Sequence, residues 1–78
     1  MTVRDKDLLA RITVDPRVMA GKPVIKGTRI TVELILELLA SGMKPEEIAE
    51  DYQIGIEDIR VALLYAANTL GREEIVAV

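Results

Sequence analysis

The stretch 20-AGKPVIKGTRITV-32 crowds Gly21 and Gly27 together with Lys22, Lys26 and Arg29, residue types that suit a loop gripping phosphate. In the nucleotide-binding loop G-x-x-x-x-G-K-[ST], the glycines let backbone N–H groups close around the phosphates while the lysine reaches the outermost ones. Here the two glycines stand one residue too far apart and Lys26 precedes the second of them. Pro23 also removes a donor where the cradle needs one. The stretch does not have the pattern of a nucleotide-hydrolysing site. A second group, Glu46, Glu47, Glu50, Asp51, Glu57 and Asp58, could suggest a two-metal nuclease. Glu46 and Glu50 share one helix edge, however, and so do Glu47 and Asp51, as on a solvated face beside an apolar stripe. The chain has neither histidine nor cysteine, so the commonest general base and the soft metal ligands are missing. No catalytic residue, cofactor or metal is expected.

These residues sit in a chain of 78, which a single small domain accounts for and which buries only about 60–65% of its unfolded surface. Without cysteine no disulfide reinforces the core, as suits a reducing compartment. Half of the residues are nevertheless apolar, so a partner chain, most simply a second copy, is expected to cover part of that surface. No run reaches the roughly 18 apolar residues of a membrane span. The N-terminal MTVRDKDLLARI lacks a signal peptide's apolar core, and a soluble cytoplasmic protein is expected. Charge is divided unevenly. Residues 1–29 hold seven Lys/Arg against three Asp/Glu and residues 30–78 three against ten, within a net charge of −3. A polyanion would be drawn to the first part and repelled by the second.

The elements that must position these charges follow from the pattern. Residues 4–10 have the makings of a short helix anchored by Leu8 and Leu9. Ile12–Val14 alternates and stops at Asp15-Pro16, and Val24-Ile25 and Arg29–Thr31 read as two further short strands joined through Lys26-Gly27-Thr28. From Thr31, a helix N-cap, the period becomes helical. Val32, Ile35, Leu36 and Leu39 form one stripe of a helix over 32–41, Leu34 and Leu38 form a second ridge, and Gly42 is its left-handed C-terminal residue. Pro45, followed by Glu46 and Glu47, opens a helix over 45–52. After Gln53-Ile54-Gly55 a third helix runs from Ile56 to about Leu70, with Ile56, Ile59, Leu63, Ala66 and Leu70 inward and Gly71 ending it. The last two helices and their short turn have the form of a helix-turn-helix. Ile48-Ala49 permits close approach, Tyr52 and Ile54 bracket the turn, and Ile59 and Ala62 make the contact face. The usual turn glycine would stand at Gln53 and is displaced to Gly55.

The segments RITVDP, GKPVIKGTRITV, LLASGMKPEEIAEDY and IEDIRVALLYA together closely resemble domain-of-unknown-function family 433, regarded as VapB-like antitoxins. The resemblance covers Ile12 to Ala67, about two-thirds of the chain, and G-K-P-V-I-x-G-T-R-I is its most specific part. It implies a mainly α fold, a three-helix homeodomain-like helix-turn-helix over 32–70 preceded by a short β arm. It further implies an antitoxin that neutralises a PIN-like ribonuclease toxin and, with it, represses its own promoter. Two positions depart from the pattern: Lys44 and Gly55 stand where Ser or Thr often starts a helix, weakening each cap by about 1 kcal/mol or less.

The recognition helix itself argues against simple groove reading, because its first turns present Gly55, Ile56, Glu57, Asp58 and Arg60, and two carboxylates would face a polyanion. Acids accept from cytosine, but affinity rests mainly on neutralising phosphates. Arg17, Lys22, Lys26 and Arg29 of the β arm supply what the helix lacks, with Arg60 as its one candidate contact with a base. The alternative is that these cations brace the arm against Glu33 or Glu37. Beyond Gly71 the tail REEIVAV ends in apolar residues, where a terminus is ordinarily polar. Glu73, Glu74, Ile75, Val76 and Val78 are therefore candidates for docking, as an added strand, on a toxin's cationic cleft. Folding back onto the chain's own domain or a sister subunit is the competing expectation. A homodimeric protein-binding or structural adaptor is the alternative function.

Overall fold

The computed structural model describes residues 7–71, which are mainly helical with one small two-stranded sheet. Strand β1 (Ile12–Thr13) pairs antiparallel with β2 (Val24–Ile25), placing Ile12 opposite Ile25 and Thr13 opposite Val24. Strand β1 is one residue shorter than the alternation predicts, and β2 has the predicted bounds. The third expected strand, 29–31, contributes a single bridge between Val24 and Thr31, because the chain enters helix α1 (Val32–Ala40) immediately afterwards. Its backbone still ties back: Ile25 N–H donates to the Ile30 carbonyl at 2.9 Å, and Val32 N–H to that of Pro23 at 3.0 Å. The connecting turn is closed by Thr28 N–H on the Ile25 carbonyl at 2.9 Å, with Gly27 at φ 79° supplying the left-handed step. The loop before β2 contains a single 3-10 turn, Met19–Gly21, in which Met19 and Ala20 also have positive φ, 50° and 57°. Of the helix expected over 4–10, residues 7–9 are helical, Ala10 is already in a turn and residues 4–6 lie outside the described residues, while Leu8 and Leu9 pack on the core.

Each helix starts and stops for an identifiable reason. Thr31 caps α1, its hydroxyl accepting from Leu34 N–H at 3.0 Å. The helix closes one residue earlier than predicted, with Gly42 at φ 98° while Gly42 N–H reaches Leu39 O and Met43 N–H reaches Leu38 O, the paired bonds of a Schellman stop. Helix α2 (Pro45–Tyr52) ends in the same way. Its left-handed residue is Gln53 at φ 54°, with Ile54 N–H on Ala49 O at 3.0 Å. Helix α3 (Ile56–Gly71) runs to Gly71, the last described residue.

The cap weakness expected at Lys44 and Gly55 is offset by one device used twice. Neither residue has a side-chain acceptor, but an acid three positions on reaches back. Glu47 Oε1 accepts from Lys44 N–H at 3.0 Å, and Asp58 Oδ2 accepts from Gly55 N–H at 2.9 Å. This is the second half of a capping box without the first.

Ile35, Ile48, Ile59 and Val61 are the large side chains buried completely, joined by Ala62, Val32 and Ile25. At about 1.5–3 kcal/mol for each large apolar side chain, they hold α3 against α1, α2 and β1. The predicted inner stripe of α3 is corrected here. Ile59 faces in, but Ile56, Leu63 and Leu70 are exposed, and Val61 and Ala62 take the interior. Three neighbours press on α3 from different sides, so its buried face is rotated from the one a single stripe suggests.

Candidate nucleic-acid interface

The hairpin turn Lys26-Gly27-Thr28-Arg29 is held from inside by Thr28, whose hydroxyl donates to Ile25 O at 2.8 Å and accepts from Ile30 N–H at 3.0 Å. With the threonine tied to its own backbone, Lys26, Gly27 and Arg29 remain exposed at the tip. Lys26 N–H donates to Arg11 O at 2.7 Å, which brings a cation that sequence reasoning passed over beside one that it chose. The signal for Arg11 was its position one residue before β1, in register with Lys26 across the sheet. Together they line a cleft with Thr28, Gln53, Gly55 and Asp58, where the hairpin meets the α2–α3 turn.

The acids at the start of α3 do not stand free before that cleft. Asp58 Oδ1 lies 3.3 Å from Arg11 Nη1 while its other oxygen holds Gly55 N–H, and its side chain is only 14% exposed. Glu57 pairs with Arg60 at 3.1 Å. The expectation that two bare carboxylates face a polyanion is therefore corrected: each is matched by an arginine.

The remaining candidate cations are dispersed. Arg17 is folded onto Asp15 through its backbone N–H at 2.9 Å, Nε at 3.1 Å and Nη2 at 3.0 Å. The Arg17 side chain, then its backbone N–H, hold the Asp15 carboxyl below its ordinary pKa. Lys22 reaches Glu33 of α1 at 3.5 Å, the bracing alternative for that residue. Arg29 shows no such brace; it lines a separate depression with Thr13, Asp15 and Val18. Arg11, Arg17, Lys22 and Arg60 thus each have an acid within ion-pair distance, whereas Lys26, Arg29 and Lys44 have none among the described residues. Glu73, Glu74, Ile75, Val76 and Val78 lie outside the described residues. Among the described residues, no three acids are grouped to hold a metal ion, and no helix is long and apolar enough to cross a membrane.

Comparison with known proteins adds a family and no activity. A family model described as a protein of unknown function, DUF433, matches residues 12–66. The uncharacterized protein y4eO of Sinorhizobium fredii is 36% identical over 67 residues, which are 82% of this chain but 30% of that protein. An uncharacterized protein of Archaeoglobus fulgidus is 64% identical over 25 residues, 32% of this chain and 69% of its own length. The chain thus spans about a third of the first relative. No solved structure matches.

Proposed function

The chain belongs to the DUF433 family, and from that premise we propose that it is the antitoxin of a type II toxin–antitoxin pair. In this reading it binds and neutralises a PIN-like ribonuclease toxin and contacts its own operator DNA, with helices α2 and α3 as a homeodomain-like helix-turn-helix. The observation that carries the DNA contact is the hairpin tip, where Lys26 and Arg29 stand exposed without an acid partner among the described residues. Arg11 and the α2–α3 turn lie beside Lys26. Two such cations on a tight turn can straddle a phosphate backbone or enter a minor groove, while α3, with Glu57 and Arg60 paired to each other, adds little charge of its own. Arg17 and Lys22 are secondary contacts, available only when DNA phosphates displace the acids that hold them. The acidic, apolar tail, with Glu73, Glu74, Ile75, Val76 and Val78, is assigned to the toxin's cationic cleft.

A salt series of gel shifts on the promoter DNA tests the first half. Lys26→Ala/Arg29→Ala is expected to flatten the log–log salt slope by roughly 1–2 units, and an unchanged slope removes the hairpin from the interface. Co-expression with the neighbouring gene's product and pull-down tests the second. Deletion of residues 72–78 is expected to abolish neutralisation while the fold persists. A protein-binding adaptor without DNA contact is the competing reading, favoured by the apolar outer face of α3, where Leu63 and Leu70 are about half exposed. It predicts no shift at any salt concentration.

A further inference from the structure

Three large apolar side chains of α3 line up in solvent: Ile56 is 41% exposed, Leu63 48% and Leu70 56%. They recur every seventh residue, and Arg60 and Ala67 fill the places between. Ile56, Arg60, Leu63, Ala67 and Leu70 therefore follow the alternating three- and four-residue steps of a helix-pairing seam. A seven-residue repeat drifts only about 20° around a straight helix each time, so the five positions share one face. None of them supplies the domain's core, which α3 reaches through Ile59, Val61 and Ala62. Alongside the C-terminal half of the seam runs an apolar groove lined by Leu36 and Ala40 of α1 and by Tyr65 and Ala66 of α3, with Leu70 common to seam and groove.

We infer that this surface is a homodimer interface in which α3 of a second copy lies antiparallel along the seam. Charge selects the direction. Parallel helices would bring Arg60 against the second copy's Arg60, whereas an antiparallel pair lays it opposite the second copy's Leu70, toward the negative, C-terminal side of that helix's dipole. Size agrees with the same register. Leu63 then meets the second copy's Ala67 and Ala67 its Leu63, so large faces small, and Ala40 and Ala66 flank the contact without holding the helices apart. The extent is adequate. A stable interface takes about 800 Å² from each partner, roughly a seventh of the 5683 Å² that the chain exposes, and in this register residues 59–71 of the two α3 helices overlap over about 18 Å, with the groove widening the contact. Glu33 and Glu37 on the groove's rim disfavour the chain's own acidic Glu73-Glu74 segment as the occupant.

Sedimentation equilibrium of the full chain at tens of micromolar tests this. The unaltered chain is expected to be dimeric. Leu63→Glu and Leu70→Glu are each expected to raise the dissociation constant roughly a hundredfold with the helical circular dichroism unchanged, and Val14→Glu, at another exposed apolar residue, to leave the dimer intact. A monomeric parent, or a dimer that survives Leu63→Glu/Leu70→Glu, overturns the inference. The chain has no cysteine, so orientation can be read directly. An equimolar mixture of Leu63→Cys and Ala67→Cys chains should oxidise to the mixed covalent dimer in preference to either homodimer. Its absence rejects the antiparallel seam, and this readout decides if a glutamate variant misfolds. Lys26→Ala/Arg29→Ala should leave the dimer unchanged, so the dimer and the DNA contact can fail separately.

Discussion

In the hairpin half of the molecule the tip carries Lys26 and Arg29 outward with no acid beside them among the described residues, while in the helical half the acids Glu47 and Asp58 turn inward onto the backbone N–H groups of Lys44 and Gly55. The difference follows from what each element leaves unsatisfied. A helix start has orphan donors that draw in a nearby carboxylate, whereas a β-turn closed by Thr28 and Gly27 has satisfied its own backbone and leaves its long side chains in water. Acids at helix starts are thus a poor guide to the surface that a partner meets. Cations at a closed turn are a better one.

The two halves rest on one core, and the largest effect comes from breaking it. Ile35 and Ile48 are fully buried, and Ile35→Ala or Ile48→Ala is expected to cost about 2–5 kcal/mol, measured by urea unfolding, with hairpin and helices lost in one transition. Separate transitions would show that the hairpin is held independently. Asp58 is the acid through which the halves touch, by way of Arg11. Asp58→Ala should cost about 1–2 kcal/mol, most of it from the orphaned Gly55 N–H and less than 1 kcal/mol from the half-exposed ion pair. A double-mutant cycle with Arg11→Ala separates the two contributions. Left-handed residues with a Cβ occur in both halves, Ala20 at φ 57° and Gln53 at φ 54°. Ala20→Gly and Gln53→Gly are each expected to stabilise by about 0.5–1 kcal/mol, raising the melting temperature by a few degrees. An unchanged midpoint would mean that local contacts hold those conformations without strain.

The smallest effect belongs to the Asp15–Arg17 pair. Its carboxyl pKa is lowered in the folded chain, so its contribution is present above the unfolded carboxylate's pKa and is lost as pH falls through the lower folded value. An NMR titration should place Asp15 below ordinary aspartates. Arg17→Ala should return it toward them, with the unfolding midpoint at neutral pH hardly moved.

Much of the architecture was legible along the chain. Local chemistry decides Thr31 as a cap, Gly42 as a stop, Pro45 as a start and the 45–52 span, because each involves residues within one turn of each other. The strands were legible in place, but β1 and the 29–31 segment pair over less than expected, since pairing ends where neighbouring segments stop facing one another. The inward face of α3 was misjudged for the same reason. Apolar spacing reveals that a helix has a stripe, yet with Ile56, Leu63 and Leu70 competing against Ile59, Val61 and Ala62, only packing against α1, α2 and β1 chose between them. Of the candidate site, the cation-rich stretch was visible and the Lys22–Glu33 brace was one of its two expected readings, but the pairing of Arg17 and Arg60 was not.

By itself the sequence determined the order of elements, their capping residues and the uneven division of charge, all consequences of short-range sterics and composition. Tertiary structure decided which cations keep an acid, that Arg11 stands beside Lys26, and which ridge of α3 is left in solvent. Those are contacts between distant residues, such as Arg11 and Asp58, 47 positions apart, and no local rule reaches that far.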